Sequence, residues 1–274
     1  MNRDLLMCGT TYFRVDYVIN PYMDVTVQPD GTRARREHDE LVESHRSAGR
    51  FVRRMPPASE CPDMVYTANL AFVADGLAVL GTPPVERGAE IPYARSWLKD
   101  NEFEVQDCPY DFSGQGDALV CGQYLLVGHG QRTDRRVPAL LDELFGFDVV
   151  PLKTSSARWY DLDLAVGVID AHTLACCPEA LDRPSLAALR SLDVDVIEVS
   201  VEEAARFALN LISDGRTVTM TRGAPRLAAR VRDRGLAVVE LDTHELRKGG
   251  GGVRCTALTL DNCAPAQSFR RTRV

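Results

Sequence analysis

Leu70-Ala71-Phe72-Val73, then Ala74-Asp75-Gly76, then Leu77-Ala78-Val79-Leu80 reads as two apolar strands folded back on each other through an Asp-Gly turn. Asp-Gly between apolar runs is a strong hairpin signal, because the tight turn needs positive φ, which Gly takes without steric penalty. The same pattern returns at Leu209-Asn210-Leu211-Ile212, Ser213-Asp214-Gly215 and Thr217-Val218-Thr219-Met220. Around these lie helix-like stretches at 33–48, 90–100, 135–145, 184–192 and 224–234. Each sets apolar positions on one side and charges on the other, as in Pro138-Ala139-Leu140-Leu141-Asp142-Glu143-Leu144-Phe145. They stop near Gly49, Asn101, Gly146, Asp193 and Gly235, and Gly and Asn are natural helix stops. A short strand follows each stop: Phe51-Val52, Phe103-Glu104-Val105, Phe147-Asp148-Val149-Val150, Val194-Asp195-Val196-Ile197 and Leu236-Ala237-Val238-Val239-Glu240.

One polar or reactive residue opens each hairpin: Asn69, Asp117, Asp163, Asn210 and Cys255, at successive separations of 48, 46, 47 and 45 residues. A near-constant period over five units is the mark of an internal repeat. The expected fold is therefore α/β, a five-bladed, pseudo-fivefold α/β propeller. Its helices lie outside, and the residues that open the hairpins crowd the axis. Leu5-Leu6-Met7-Cys8 is expected to close the circle by pairing with the last, incomplete unit. Radial repetition of this kind leaves few exposed sheet edges. The expected domain organisation is a single propeller over residues 1–260. A loose tail is expected over 261–274, which lacks periodicity.

The 274 residues are 45% hydrophobic and 26% charged, the proportions of a globular chain able to bury a core without disulfides. A net charge of −7 argues against nucleic acid as a partner. Met1-Asn2-Arg3-Asp4-Leu5-Leu6-Met7-Cys8 is too polar for a signal peptide's apolar region, and no window approaches a membrane span. The expected setting is the cytoplasm, with no membrane partner. The eight cysteines are scattered without a C-x-x-C pair, which argues against zinc and for reduced thiols. Cys176-Cys177, in an apolar run, reads as core.

Cys255 is different. It ends Arg247-Lys248-Gly249-Gly250-Gly251-Gly252-Val253-Arg254-Cys255, and the alternating run Cys255-Thr256-Ala257-Leu258-Thr259-Leu260 follows. A glycine run approaches ligands closely, so a permissive loop delivers one thiol at the start of a strand. Taken alone, the stretch also fits a flexible loop before an ordinary buried cysteine. Its place in the fifth repeat favours a functional thiol.

The chain resembles the pentein, or guanidino-group-modifying, superfamily, and is most similar there to the bacterial dimethylarginine dimethylaminohydrolases and arginine dihydrolases. The resemblance spans almost the whole chain. It rests on Thr10-Thr11-Tyr12-Phe13, Ile19-Asn20-Pro21-Tyr22-Met23-Asp24, Pro62-Asp63-Met64-Val65-Tyr66-Thr67-Ala68-Asn69 and Glu86-Arg87. It continues through Gly114-Gln115-Gly116-Asp117-Ala118-Leu119, Arg132-Thr133-Asp134, Arg158-Trp159-Tyr160-Asp161-Leu162-Asp163, Leu209-Asn210 and the segment from Lys248 to Cys255. It implies a pentein propeller with the active site on its axis. It also implies that Cys255 attacks a guanidinium carbon to form a covalent thiouronium, which water then hydrolyses. Such chemistry needs a thiolate, whereas an ordinary thiol, with a pKa of about 8.5, is mostly protonated at neutral pH. Arg254 or a cationic substrate beside the sulfur would favour the anion. Arg87 and Arg132 match the residues that hold the substrate's carboxylate, a role suited to the guanidinium fork. The resemblance implies no metal and no organic cofactor.

Two departures stand out. Where the family carries Tyr-His-Leu-Asp-Thr, this chain has Tyr160-Asp161-Leu162-Asp163-Leu164, so Asp161 replaces the acid/base histidine. Where the family carries Phe-Glu-Gly-x-Gly-Asp, this chain has Phe112-Ser113-Gly114-Gln115-Gly116-Asp117, so Ser113 replaces a guanidinium-binding glutamate. An unperturbed Asp, pKa about 3.9, is ionised at neutral pH and cannot protonate a leaving amine. Burial or a neighbouring carboxylate is needed to make it an acid. Of the five histidines, His38 and His45 are expected on the surface of the first helix and His172 in a turn. His129 and His244 lie nearer the motifs.

The expected function is cysteine-dependent hydrolysis of the guanidino, amidino or ureido group of arginine or an arginine-like amino acid. Cys255 and Asp161 are the catalytic candidates. Asn69, Arg87, Ser113, Asp117, Arg132, Asp163 and Asn210 are the substrate-binding candidates. Amidino transfer or another altered reaction on an arginine-derived metabolite is one alternative, and a non-catalytic amino-acid-binding pentein is another. The partner is a small arginine-like molecule, and association as a homodimer is also expected.

Overall fold

The computed structural model describes residues 2–265. β1 (Asp4–Cys8) leads through a long loop and α1 (Gly31–Ser47) to β2 (Phe51–Met55), which pairs with β1 in parallel. The hairpin of β3 (Ala71–Ala74) and β4 (Leu77–Leu80) follows, then α2 (Glu90–Asp100) and β5 (Glu104–Asp107), parallel to β4. The unit repeats as β6 (Ala118–Cys121), β7 (Tyr124–His129), α3 (Val137–Leu144) and β8 (Asp148–Lys153). It repeats again as β9 (Val166–Val168), β10 (Thr173–Cys176), α4 (Arg183–Arg190) and β11 (Asp195–Glu198). After the short α5 (Val201–Ala204) come β12 (Ile212–Ser213), β13 (Thr217–Thr221), α6 (Pro225–Arg232) and β14 (Ala237–Leu241). β15 (Leu258–Thr259) opens the fifth hairpin, and β1 completes it.

The result is five three-stranded sheets of one design. In each, a central strand has an antiparallel neighbour before the turn and a parallel neighbour after the helix. The ring closes as the repeat requires: Leu5 stands opposite Thr259, and Leu6 opposite Leu258. This is the five-bladed α/β propeller of the pentein fold. Thr67 reinforces the seam, since its hydroxyl shares its one proton between the carbonyls of Leu6 and Thr256, at 2.8 and 3.0 Å, and accepts from the Leu258 amide.

Helix α1 shows how the layers form. Asp30 caps it by accepting from the Thr32 and Arg33 amides. Ala34, Glu37, His38, Leu41, Val42 and His45 make its buried face. The expectation that His38 and His45 lie on the surface is therefore corrected: both are enclosed. They fall on the i, i+3, i+4, i+7 stripe with Leu41 and Val42, and that stripe faces the core. Burial pushes both imidazoles down to about 3, so they are neutral.

Two other expectations change. The strand expected at 209–212 is shortened to Ile212–Ser213, because the chain ahead of it turns inward. The segment after Asp261 is not loose where it is described. Asn262 is buried and donates to the Val73 carbonyl, while the Ala264 amide reaches Asp75. Residues 266–274 lie outside the described residues. Among the described residues, no helix is long and apolar enough to cross a membrane.

Candidate active site

Three of the five residues that open hairpins sit in or at the end of tight 3₁₀ turns: Asn69 in Thr67–Leu70, Asp117 just after Gly114–Gly116, and Asp163 in Leu162–Leu164. These turns tuck short polar side chains under the strands that follow. Asn69, Asp117, Asp163, Asn210 and Cys255 are all buried at the centre of the ring.

Cys255 is fixed from two sides. Asn210 Nδ2 lies 3.1 Å from its sulfur, and Asn210 Oδ1 accepts from the Arg254 and Cys255 amides at 2.9 and 3.3 Å. Opposite, the thiol donates to Asp163 Oδ2 at 3.3 Å. The glycine run that delivers it is shaped by contact. A Cβ on Gly251 would meet the Tyr66 ring at 2.2 Å, and Gly250 holds a left-handed φ of 93°. Two tyrosines hold the loop from beneath: Tyr66 donates to the Leu246 carbonyl, and Tyr160 to the Gly250 carbonyl.

Asp161, expected as the catalytic partner of Cys255, makes no hydrogen bond to it. Its Oδ1 accepts from the Ser113 hydroxyl at 2.7 Å, and its Oδ2 from Asn69 Nδ2 at 3.0 Å. Arg132 Nη1 lies 3.5 Å from the same Oδ2, with its guanidinium over the Tyr160 ring at 4.1 Å. The carboxylate against the sulfur is Asp163. The cause is the two-residue spacing: Asp161 ends the extended segment before the 3₁₀ turn, whereas Asp163 lies inside the turn. Burial, and then the nearby Asp161, hold the Asp163 carboxyl well above the usual range. Burial, and then Asp163, raise the Cys255 thiol as well. Both shifts favour the neutral thiol and the neutral carboxyl, as a low-dielectric site does.

Other expected site residues divide into those that meet the pocket and those that support it. Asn69, Arg87, Arg132 and Cys255 line a narrow pocket with Ile19, Asp63, Tyr66 and Tyr160. Ser113 stands behind Asp161 and Asn69. Asp117 does not line the pocket. Its oxygens accept from the Leu162 amide at 2.8 Å and the Thr133 hydroxyl at 2.6 Å, so it ties the Asp163 turn to the loop carrying Arg132. Arg87 is largely engaged within the protein. It grips Glu90 with two bonds of 3.0 and 2.8 Å, donates to Asn69 Oδ1 at 2.8 Å and reaches the Tyr66 carbonyl. Its first effect is therefore to orient Asn69. None of the five histidines lines the pocket.

Asp63 carried no assigned role in the sequence reading. It lines the pocket with Oδ1 buried, and the Tyr17 hydroxyl is the hydrogen-bonding group nearby. Burial, offset in part by Arg87, pushes its carboxyl up to about 6. The signal was a lone charge inside the apolar run Pro62-Asp63-Met64-Val65-Tyr66, where an anion is retained only for a cationic partner. Together these groups set a thiol on the pocket wall with the Asp163 carboxyl behind it, and place the Asp63 carboxyl and the Arg132 guanidinium on the same wall.

The chain is similar in sequence and in fold to known proteins. A family model described as N,N dimethylarginine dimethylhydrolase, eukaryotic, matches residues 20–260. The chain is 37% identical over 260 residues to the N(G),N(G)-dimethylarginine dimethylaminohydrolase of Mycobacterium tuberculosis, covering 94% of this chain and 86% of that one. Among solved structures, the N-terminal domain of ArgZ, a cyanobacterial arginine dihydrolase bound to product, matches with a TM-score of 0.91. It is 29% identical, with 95% of this chain and 98% of that chain covered. A substituted form of that domain, covalently bound to a reaction intermediate, matches with a TM-score of 0.90, the same identity and the same coverage.

Proposed function

Because this chain belongs to the dimethylarginine dimethylaminohydrolase family and is a C–N hydrolase of guanidino groups, we propose that Cys255 attacks the guanidino carbon of an arginine-like amino acid while Asp163 carries the proton. The observation that carries this reading is the contact of the Cys255 sulfur with Asp163 at 3.3 Å and Asn210 at 3.1 Å, beside a pocket that also holds Asp63 and Arg132. The name of the Mycobacterium tuberculosis relative supports methylated arginines as substrates, and the name of ArgZ supports arginine itself.

A guanidinium entering the slot brings positive charge to Asp161 and Asp163, and that charge favours the anionic forms of both Cys255 and the carboxyls. Asp163 releases its resting proton to solvent as the cation enters; the resulting carboxylate takes the thiol proton, and the sulfur forms a bond to the guanidino carbon. The neutral tetrahedral adduct expels an amine, which takes the proton from Asp163 as the C–N bond breaks. A thiouronium remains on Cys255. Asp163, again a carboxylate, accepts a proton from water as its oxygen bonds to the same carbon. Breaking the C–S bond releases a ureido product and returns the thiol, and the remaining proton leaves on the amine. A carboxyl with an ordinary pKa would not serve as the acid, and the raised pKa of Asp163 supplies what the absent histidine would have done.

The substrate ammonium is matched by the buried Asp63 carboxyl on the pocket wall. Its carboxylate is matched by Arg132, which exchanges Asp161 for the substrate as the guanidinium takes its place. The test is product analysis with arginine and N-methylated arginines. Amine and ureido product are expected in equal amounts. Asp163→Asn is expected to lower kcat by about 10²–10⁴-fold, the usual contribution of general acid–base catalysis. An Asp163→Asn variant that retains full kcat would remove Asp163 from the proton path. The histidine-free pocket also favours a second reading, in which an amine replaces water as acceptor. Added primary amines would then yield a transferred amidino group in place of the ureido product.

A further inference from the structure

Glu37 is a buried carboxyl that the chemistry at Cys255 does not touch. It lies on the buried face of α1, against the 3₁₀ turn Leu246–Gly249 that runs directly into the rest of the glycine loop. Its Oε2 accepts from the Glu245 amide at 2.9 Å and the Leu246 amide at 3.3 Å, and its Oε1 accepts from the Glu245 amide at 3.2 Å. These N–H groups open the turn and have no partner within it, so Glu37 caps the turn from another element.

The capped turn is joined to the pocket. The Leu246 carbonyl accepts from Tyr66, whose ring lies close beneath Gly249 and Gly251 and lines the pocket with Cys255. The Gly249 carbonyl accepts from Asn20 Nδ2 at 3.3 Å, and Asn20 lines the same pocket. Glu245 fastens the other side of the turn. Its Oε2 accepts from the Asp30 amide at 2.8 Å and from Lys248 Nζ at 2.6 Å, and Arg33 lies 3.4 Å from its Oε1.

We infer that Glu37 is a positioning residue for the hydrolysis: as an anion it holds the turn and the glycine loop in the geometry that presents Cys255, and on protonation it loosens them. The inference rests on the reading of Cys255 as nucleophile. Burial pushes the Glu37 carboxyl up to about 7, with Asp242 and Glu245 adding like charge against the pull of the two amides. It is an anion above that pH and neutral below it. Hydrogen bonds to a charged group are roughly twice as strong as neutral ones, so the cap weakens as pH falls through about 7.

The like charges facing Glu37 are Asp242 and Glu245. Burial opposes the charge on Glu245, but Lys248, the Asp30 amide and Arg33 outweigh it and hold that carboxyl below the usual range. On β2, Arg53 is bound to Asp4 and Arg54 lies near His38; on β14, Glu240 is bound to Arg232. Within α1, His38 and His45 are neutral and the remaining charged residues are exposed.

The experiment follows two quantities from about pH 6 to pH 8: kcat at saturating substrate, and amide hydrogen exchange over residues 243–249 of the ligand-free protein. Exchange protection, corrected for the pH dependence of the chemical rate, is expected to fall about 10-fold as pH drops through about 7, and kcat to fall with it. Glu37→Gln should show the low protection at both ends of the range. Its kcat at high pH should be about 10-fold lower, with KM little changed and no limb near 7. Burial and then Asp161 also push the Asp117 carboxyl up, so the variants make the assignment and not the wild-type limb. Because Glu37→Gln alters a buried group, Asp242→Asn provides a second variant. Asp242 is exposed, and Asn keeps an acceptor for the His244 amide while removing a like charge that faces Glu37. Both midpoints should then move to lower pH. Protection that stays flat across pH 7 in the wild type would overturn the inference, as would a kcat limb unmoved in both variants. Continued hydrolysis by Cys255→Ala would defeat the nucleophile reading separately, and the exchange profile would still decide whether Glu37 caps the turn.

Discussion

Asp163 and Asp161 lie two residues apart, yet they have different surroundings. Asp163 meets the sulfur, whereas Asp161 is held by Ser113, Asn69 and Arg132. Sequence alone leads to Asp161 as the residue at the expected histidine position, but not to which carboxyl the 3₁₀ turn aims at Cys255. Asp63 leads to a pH prediction. With its carboxyl near 6, it is an anion above that pH and neutral below it. KM for an arginine-like substrate should therefore rise as pH falls through about 6, while a desamino analogue lacking the ammonium should show no such rise. Initial rates against pH for the two substrates decide it, and parallel KM curves would contradict the assignment. The buried histidines give a converse lesson: His38 and His45 share a helical stripe with Leu41 and Val42, so the period was informative even where residue type suggested the surface.

At the scale of elements, the hairpins and outer helices were legible because their signals are local. Asp75-Gly76 sets one turn, and the helix-stopping residues divide strand from helix. What was not legible depends on contacts between distant segments. The strand expected from Leu209 is displaced because Phe207 takes a left-handed φ of 67° and Asn210 is drawn to Cys255. The glycine loop is shaped in the same way, by Tyr66 and Tyr160 from other blades. A methyl group on Gly251 would stand 2.2 Å from the Tyr66 ring, a distance that forces the loop or the ring to move. Gly251→Ala is thus expected to lower kcat by about 10²-fold, the scale at which a 1 Å displacement of a reacting group is felt. The measurement is kcat at saturating substrate together with Tm. A variant with unchanged kcat would show that the loop's close fit does not set the position of the thiol.

For the whole molecule, a repeat of about 47 residues gathers five side chains from five blades onto one axis, which explains how residues almost 200 positions apart build one site. The ring depends on its seam. Leu6 is fully buried there, opposite Leu258, and Leu6→Ala should cost about 2–5 kcal/mol in urea unfolding through lost burial and a residual cavity. A loss below 1 kcal/mol would indicate that the seam contributes little. The function assigned to this axis rests on a bond between Cys255 and a guanidino carbon. Acid quench during turnover of an arginine-like substrate, followed by intact mass and peptide mapping, examines that bond directly. The predicted result is a thiouronium adduct on the Cys255 peptide that is absent from Cys255→Ser. Continued hydrolysis by Cys255→Ala would contradict it.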